Sequence, residues 1–434
     1  MGAPAPLLQP EPNESTPRFT GPATVTVPDR RARIDSVDLL RGLVMVIMLL
    51  DHTRDFVHSE TWKYDPTDMS RTYPALFFTR WLTHFCAPVF VFLAGTGSYF
   101  QLARGKSKAE LSRFLVTRGI WLIILEFTVV RFAAFWEFNI TQFLGTAQVI
   151  WVLGWSMIVL AGLIHLPFRA VAAFGVVMIL AHNAVDSVSI TEWRGPGTPI
   201  PNGIEQLWYI LHQPGPFPPF GFPGPVLFVL YPLIPWIGVM AAGYAFGRIF
   251  DWPADQRRVW LLRWGTAIIV GFVLLRLSNL YGDSDEWSAQ TTAAMTIVSF
   301  FNVDKYPPSL LFLMMTLGPA LVALAFWGRL DQPGNEQRNP LARMLITYGR
   351  VPLFFYILQW PMAHGAGYLL ALLAGKDTAM FFRTPGPGPI PPDAGFGLPV
   401  TYAAWIAGVL LLYPICRWYA GVKARRRDWW LSYL

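Results

Sequence analysis

The 434-residue chain is 53 % hydrophobic and only 14 % charged, where soluble domains usually carry about 25 % charged residues. With 19 Trp and 32 Phe beside that shortage of charge, a water-soluble fold is excluded and a bilayer is the expected solvent. The net charge of +7 needs no nucleic acid, because anionic lipid headgroups account for a basic excess of this size.

Residues 1–33 include PAPLLQPEPNESTPR, which is Pro-rich and polar with no apolar run. This segment reads as a disordered cytoplasmic leader and not as a signal peptide. Apolar stretches near the ~20 residues that cross a bilayer then recur through 34–420, the membrane domain. Ten spans are expected, over 38–55, 80–102, 115–136, 145–166, 169–186, 225–249, 260–280, 309–328, 344–373 and 398–420. The fold class is therefore all-α, a polytopic membrane helix bundle of about ten transmembrane helices. Residues 421–434 form a basic tail containing KARRR. Most of the 34 Lys and Arg fall on one side of these spans, which predicts both termini in the cytoplasm.

The outward loops 53–79, 187–224, 281–308 and 374–397 are dense in Trp, Tyr, Pro and Gly, as in QPGPFPPFGFPGP. Loops of such length are usually functional lids or disordered, and the aromatic content favours a roof over an outer cavity. Cys86 and Cys416 fall near opposite membrane faces, so no disulfide is expected.

The first span, RGLVMVIMLLDH over residues 41–52, is apolar but bounded by Arg41 and His52. Eleven helical steps put both on one stripe roughly 16 Å apart, about half a bilayer's hydrocarbon thickness. Asp38 lies one turn before Arg41 and is expected to pair with it. Arg41 reads equally as a topology anchor or as a planar fork for a phosphate or carboxylate ligand. His52 has Asp51 beside it and Asp55 one turn on, an arrangement that orients an imidazole. His84 opens the second span, in WLTHFCAPVFVFLAG, at the same outer depth. One interfacial histidine is most often a headgroup contact, but two flanking one loop suggest chemistry. Glu126, inside WLIILEFTVVRF, needs a partner in the bundle, for which Arg131 and Arg276 are candidates and a structural ion pair the expected role. No soluble-enzyme motif is present and no histidine shows metal-ligand spacing, so no metal is expected.

The stretch VDLLRGLVMVIMLLDH resembles the start of the integral-membrane acyltransferases related to heparan-alpha-glucosaminide N-acetyltransferase. These belong to a superfamily with enzymes that O-acetylate bacterial surface polysaccharides. In that second branch an arginine, ten residues and a histidine form the signature, which Arg41 and His52 match. In the glucosaminide branch the next span opens with a histidine taken as catalytic, and His84 is the matching residue. VLYPLIPWIGVMAAGYAFG, KYPPSLLFLMMTLGPAL and YGRVPLFFYILQW look like the bacterial members of that branch, so the likeness runs from about 34 to 420. Two departures stand out: the luminal branch has an asparagine near His52, and relatives often have a histidine where this chain has Gln359.

The resemblance implies acyl transfer, acetyl first, from cytoplasmic acetyl-CoA or another acyl-CoA to a sugar, glycan or glycolipid at the outer face of a cell membrane. For a bacterial host that is the inner membrane. In this reading Arg41, with Asp38, holds coenzyme A, His84 is the general base, and His52, with Asp51, orients the thioester or acceptor. The oligomeric state is left open, a homodimer included. The rival is a transporter or lipid-handling protein that uses the same cavity, with Glu126, Arg131 and Arg276 as a relay.

Overall fold

The computed structural model describes residue 2 and residues 34–61, 63–137, 139–331, 339–382, 390–426 and 428–433. The leader expected over 1–33 thus lies outside the described residues, residue 2 apart.

The helices, in chain order, are α1 (Asp35–Val57), α2 (Pro74–Leu82), α3 (Cys86–Ala103), α4 (Lys108–Leu125), α5 (Arg131–Phe135), α6 (Val149–Leu163), α7 (Phe168–Ala181) and α8 (Gly203–Leu211). They continue as α9 (Trp236–Phe246), α10 (Ala254–Ser278), α11 (Ala293–Phe301), α12 (Leu310–Trp327), α13 (Pro340–Arg350), α14 (Pro352–Leu373) and α15 (Leu398–Arg425). Local chemistry sets several starts. Ser107 and Glu110 form a reciprocal capping box on α4, Ser309 caps α12, and Asn339 caps α13 ahead of Pro340. Each satisfies amide donors that a helix start leaves open.

The chain is mostly helical but not wholly so. β1 (Phe143–Ala147) pairs parallel with β3 (Val226–Val229), and β2 (Gly215–Phe217) pairs antiparallel with β3 on its other edge. This small sheet corrects the all-α expectation. β3 falls within the stretch expected to be the span 225–249, whose helical part begins only at Trp236.

Among the described residues five helical stretches are long and apolar enough to cross a membrane: Pro74–Ala103, Phe168–Val185, Ala254–Ser278, Leu310–Asp331 and Leu398–Arg425. The pair α13–α14, bent by 97°, brings the number to as many as six. α1 carries Asp35, Asp38, Arg41, Asp51, Arg54 and Asp55, and α6 is a shorter apolar helix of 15 residues, which is why neither reaches that measure. α7, α10 and α15 leave most of their apolar windows uncovered, as lipid-facing helices do, whereas α3 and the α12 stretch are largely buried at the centre.

Glycine sets the helix crossings. A Cβ on Gly42 of α1 would stand 1.8 Å from the Leu345 carbonyl oxygen of α13, and one on Gly349 would stand 1.8 Å from that of Asp38. Gly95 and Gly243 do the same for α3 and α9, and Gly119 and Gly154 for α4 and α6. In lipid there is little hydrophobic drive between helices, so close backbone approach through small residues supplies the packing. Any side chain at Gly42 or Gly349 would force α1 and α13 apart.

Glu126 meets a different partner from the one expected. It begins a π-helical turn, Glu126–Val130, and accepts from the backbone N–H of Trp151 at 3.0 Å, in the first turn of α6. A carboxylate there complements the positive end of that helix. Arg131 instead donates to the carbonyls of Glu137, Asn139 and Phe143. Arg276 gathers the carbonyls of Asp285, Ser299, Phe300 and Asn302. Both arginines are buried loop clamps, not ion-pair partners of Glu126. Cys86 and Cys416 are free and buried.

Candidate functional site

Two cavities lie at opposite ends of α1. At the His52 end a cavity of about 800 Å³ is walled by the last turns of α1 (Asp51, His52, Arg54, Asp55, Phe56) and by Arg80 of α2. More of the wall comes from Thr61 and Lys63 to Pro66, from the β1 and β3 segments (Thr146, Gln148, Phe228, Leu230, Tyr231), from Tyr306, from Trp360 and His364 of α14, and from apolar residues of α5 and at positions 380, 381 and 390. Its size falls in the range of small-molecule sites, roughly 300–1,000 Å³. At the Arg41 end a smaller pocket of about 200 Å³ is lined by Asp38, Arg41, Arg104, Arg350 and Lys423 with Ile34, Val37, Gly97 and Phe100. Four cations and one carboxylate line it, with Arg350 also paired to Asp35, so it is basic and below the size of a whole-ligand site.

The expected Asp38–Arg41 pair is present: Arg41 Nη1 donates to Asp38 Oδ1 at 2.9 Å and to the Gly349 carbonyl at 3.1 Å. Arg350 donates to Asp35 at 2.9 Å and comes within 3.8 Å of Asp38. It stands at the sharp bend between α13 and α14, where Pro352 disfavours helical backbone at Val351. α14 then leads from that bend to Trp360 and His364 in the larger cavity. Of these helices α1 lines both cavities, while α13 reaches the smaller one through Arg350 and α14 the larger.

At the far end the charges form a network. Arg80 Nη1 donates to both oxygens of Asp51 at 2.8 Å. Arg54 Nη2 reaches Asp51 at 3.0 Å and Asp55 at 2.6 Å, and Lys305 Nζ lies 3.9 Å from Asp51. Three cations thus converge on Asp51, which is how so polar a carboxylate is held at a buried helix end. His52 lies against the Trp360 indole with ring centroids 3.8 Å apart, and its Nδ1 is 3.7 Å from Asp55 Oδ2. His364 is sandwiched between Phe56, at 4.6 Å, and Trp136, at 4.2 Å.

The predicted residues separate by position. Asp51 and His52 line the large cavity, and Asp38 and Arg41 line the basic pocket. His84 lies in a 3₁₀ turn between α2 and α3, 1 % exposed, with Phe312 at 5.3 Å. Neither ring nitrogen has a hydrogen-bond partner among the described residues, and it is not part of the cavity wall. Gln359 is fully buried with both amide atoms likewise unpartnered. Sequence reasoning missed Arg54, Arg80, Lys305, Tyr306 and Trp360. The signal available for two of them was KYPPS, a block whose polar head sits next to a span. Among the described residues no group of three or more His, Cys, Asp or Glu is arranged to hold a metal ion.

The family described as "Heparan-alpha-glucosaminide N-acetyltransferase, catalytic" matches residues 33–273, more than half of the chain. That segment contains Arg41, Asp51, His52, Arg80 and His84, but ends before Lys305, Tyr306 and α14. Comparison with curated proteins gives no match.

Proposed function

The chain belongs to the heparan-alpha-glucosaminide N-acetyltransferase catalytic family, and from that premise we propose that it moves an acyl group, acetyl first, across a membrane. The donor is acyl-CoA at the Arg41 end, and the acceptor is the amine or hydroxyl of a sugar, glycan or glycolipid in the His52 cavity. The observation that carries this reading is that α1 lines both a basic pocket and a large cavity whose apolar wall carries a cluster of charged residues. A helix between them spans roughly 16 Å, comparable to a pantetheine arm. Coenzyme A is made in the cytoplasm, so the pocket lined by Ile34 and Lys423, and with it both termini, is assigned to the cytoplasm in this scheme.

In this scheme Arg41, Arg104, Arg350 and Lys423 bind the phosphates. His52, held against Trp360 with Asp55 Oδ2 at 3.7 Å from its Nδ1, takes the acceptor's proton on Nε2. The acceptor's nitrogen or oxygen bonds to the thioester carbonyl carbon, the C–S bond breaks, and the thiolate leaves as coenzyme A. His52 takes precedence over His84 because a general base must reach the proton it removes, and His84 is sealed from the cavity. Its buried imidazole then serves as packing behind the Asp51 network.

The test is a labelled-acyl assay. Membranes from expressing cells, given acetyl-labelled coenzyme A, transfer label to a glycan or glycolipid, and sealed vesicles do so only when the donor is on the face carrying the termini. A transporter would leave the thioester intact, and equal consumption from both faces would reject transmembrane transfer.

A further inference from the structure

The segment 302–309, beyond the matched family region, has no role in the scheme above, yet it is firmly built. Asp304 N donates to Asp283 at 3.0 Å and Ser309 Oγ to the same carboxylate at 2.6 Å. Ser309 N closes on the Asp304 carbonyl at 2.9 Å. Asn302 donates to the Thr67 carbonyl at 3.3 Å and receives Arg276 on its own carbonyl at 2.5 Å. His182 Nε2 lies 2.9 Å from the Pro308 carbonyl. These anchors hold Tyr306 in the cavity wall and Lys305 behind it, where Lys305 is 8 % exposed.

Tyr306 and Arg80 face the cavity together. The Tyr306 hydroxyl and Arg80 Nη2 are 3.5 Å apart, beyond the 2.7–3.2 Å of a good N–H···O bond, so neither group is spent on the other. Arg80 is aimed by its Nη1, which is committed to Asp51. One oxygen can stand about 2.9 Å from two donors separated in this way, the geometry that oxyanion stabilisation requires.

We propose that Tyr306 and Arg80 form the oxyanion site of the acyl transfer, with Lys305, whose Nζ lies 5.2 Å from the centroid of the Tyr306 ring, a positioning residue. This rests on the acyltransfer reading of the cavity. When the acceptor adds to the thioester, the carbonyl π-pair moves to oxygen. Tyr306 O–H and Arg80 Nη2–H donate to that oxygen without giving up their protons. Collapse of the adduct restores the carbonyl and expels the thiolate, while the acceptor's proton stays on His52. Donors already oriented for the developing charge cost no reorganisation at that moment.

Tyr306 must stay protonated to donate. Burial would raise its phenol, but the cations of Lys305 and Arg80 outweigh that, and the phenol lies below its ordinary value. The charged and titratable groups facing it are Lys305 on its own loop, Arg80 from α2, Asp51 from α1, and Tyr231, whose hydroxyl donates to that of Tyr306 and leaves the Tyr306 proton to donate onward. The arrangement gives acyl transfer an alkaline limit set by this phenol.

The experiment measures acetyl-CoA turnover by wild type, Tyr306→Phe, Lys305→Met and Lys305→Arg in detergent or vesicles. Removal of an oxyanion donor costs about 10²–10³ in kcat, so Tyr306→Phe should lose that factor with KM for acetyl-CoA unchanged. Lys305→Met should move the alkaline limb of the pH profile upward, and Lys305→Arg should restore it. If wild type turns over and Tyr306→Phe stays within two-fold, or the limb does not move, the oxyanion site is rejected and the acyltransfer reading stands. If wild type leaves the thioester intact, the acyltransfer reading fails and the oxyanion site fails with it.

Discussion

His52 lies on the indole of Trp360 with ring centroids 3.8 Å apart and planes tilted by 35°. One residue ends the first helix and the other sits mid-way along α14, so the contact ties the proposed base to the helix that carries the unpartnered Gln359. The indole fixes the plane of the imidazole, whose Nδ1 has Asp55 at 3.7 Å, beyond hydrogen-bond distance, and no hydrogen-bond partner among the described residues. A misplaced catalytic group costs up to about 10²-fold in rate. Trp360→Ala should therefore lower kcat by roughly ten- to a hundred-fold and leave KM for acetyl-CoA near normal, whereas Trp360→Phe keeps most of the rate. Steady-state kinetics decide this. A rise confined to the acceptor's KM would make Trp360 an acceptor platform instead.

The two histidines give opposite expectations. His52→Ala should reduce kcat by roughly 10²–10⁴, the usual worth of general acid–base catalysis. His84→Ala, behind the wall, should leave kcat within about ten-fold and lower stability instead, since it opens a cavity against Phe312. Turnover and melting of the two variants in parallel separate the roles. Near-normal turnover in His52→Ala with loss in His84→Ala would return the base to His84.

Parts of this site are legible in the sequence because they are local. Asp38 and Arg41 are one helical turn apart, and Arg41 and His52 share a stripe, so spacing alone predicts the Asp38–Arg41 pair and a helix face linking the two ends of α1. Arg80 and Tyr306 are 226 positions apart, and no periodicity connects them. Their meeting depends on Asp283 and Arg276 anchoring a loop whose composition says only Pro-rich and aromatic. Glu126 shows the converse error: a carboxylate in a span suggested a cation, but a π-turn aims it at the start of α6. Hydropathy finds α3 and α12 easily and falters at α1, where charge needed by the site dilutes the apolar signal.

At the other end, Arg41 and Arg350 flank Asp38 in a pocket with Arg104 and Lys423. A hydrogen bond to a charged group contributes about 1.5–3 kcal/mol, or roughly ten- to a hundred-fold in affinity. Arg41→Ala should therefore raise KM for acetyl-CoA by about ten-fold or more with kcat within two-fold, and added salt should weaken wild-type donor binding. Inhibition by 3′,5′-ADP offers a second readout, expected to weaken in parallel. Unchanged donor affinity in Arg41→Ala would leave Arg41 a packing anchor between α1 and Gly349.

Asp283 anchors the Tyr306 loop by accepting from Asp304 N and Ser309 Oγ. Asp283 is buried, and burial together with neighbouring Asp304 pushes its carboxyl up to about 7, although Ser309 and Arg276, at 3.6 Å, pull the other way. An unfolded aspartate titrates near pH 3.9. Between about pH 4 and 7 the folded protein therefore keeps a proton that the unfolded chain has lost. Stability falls wherever the native state binds more protons, so Asp283 is neutral to the fold below about pH 4 and increasingly costly as pH rises towards 7, after which the cost is constant. Asp283→Asn removes the ionisation while its amide oxygen still accepts from Asp304 N and Ser309 Oγ. The variant should match wild type in Tm at the acid end, melt higher by a few degrees at pH 8, and keep its turnover because Tyr306 remains placed. Thermal unfolding in detergent at pH 4.5, 6 and 8 measures the difference. A variant that melts lower than wild type at pH 8 would mean that the Arg276 ion pair outweighs burial, and that Asp283 is charged where it sits.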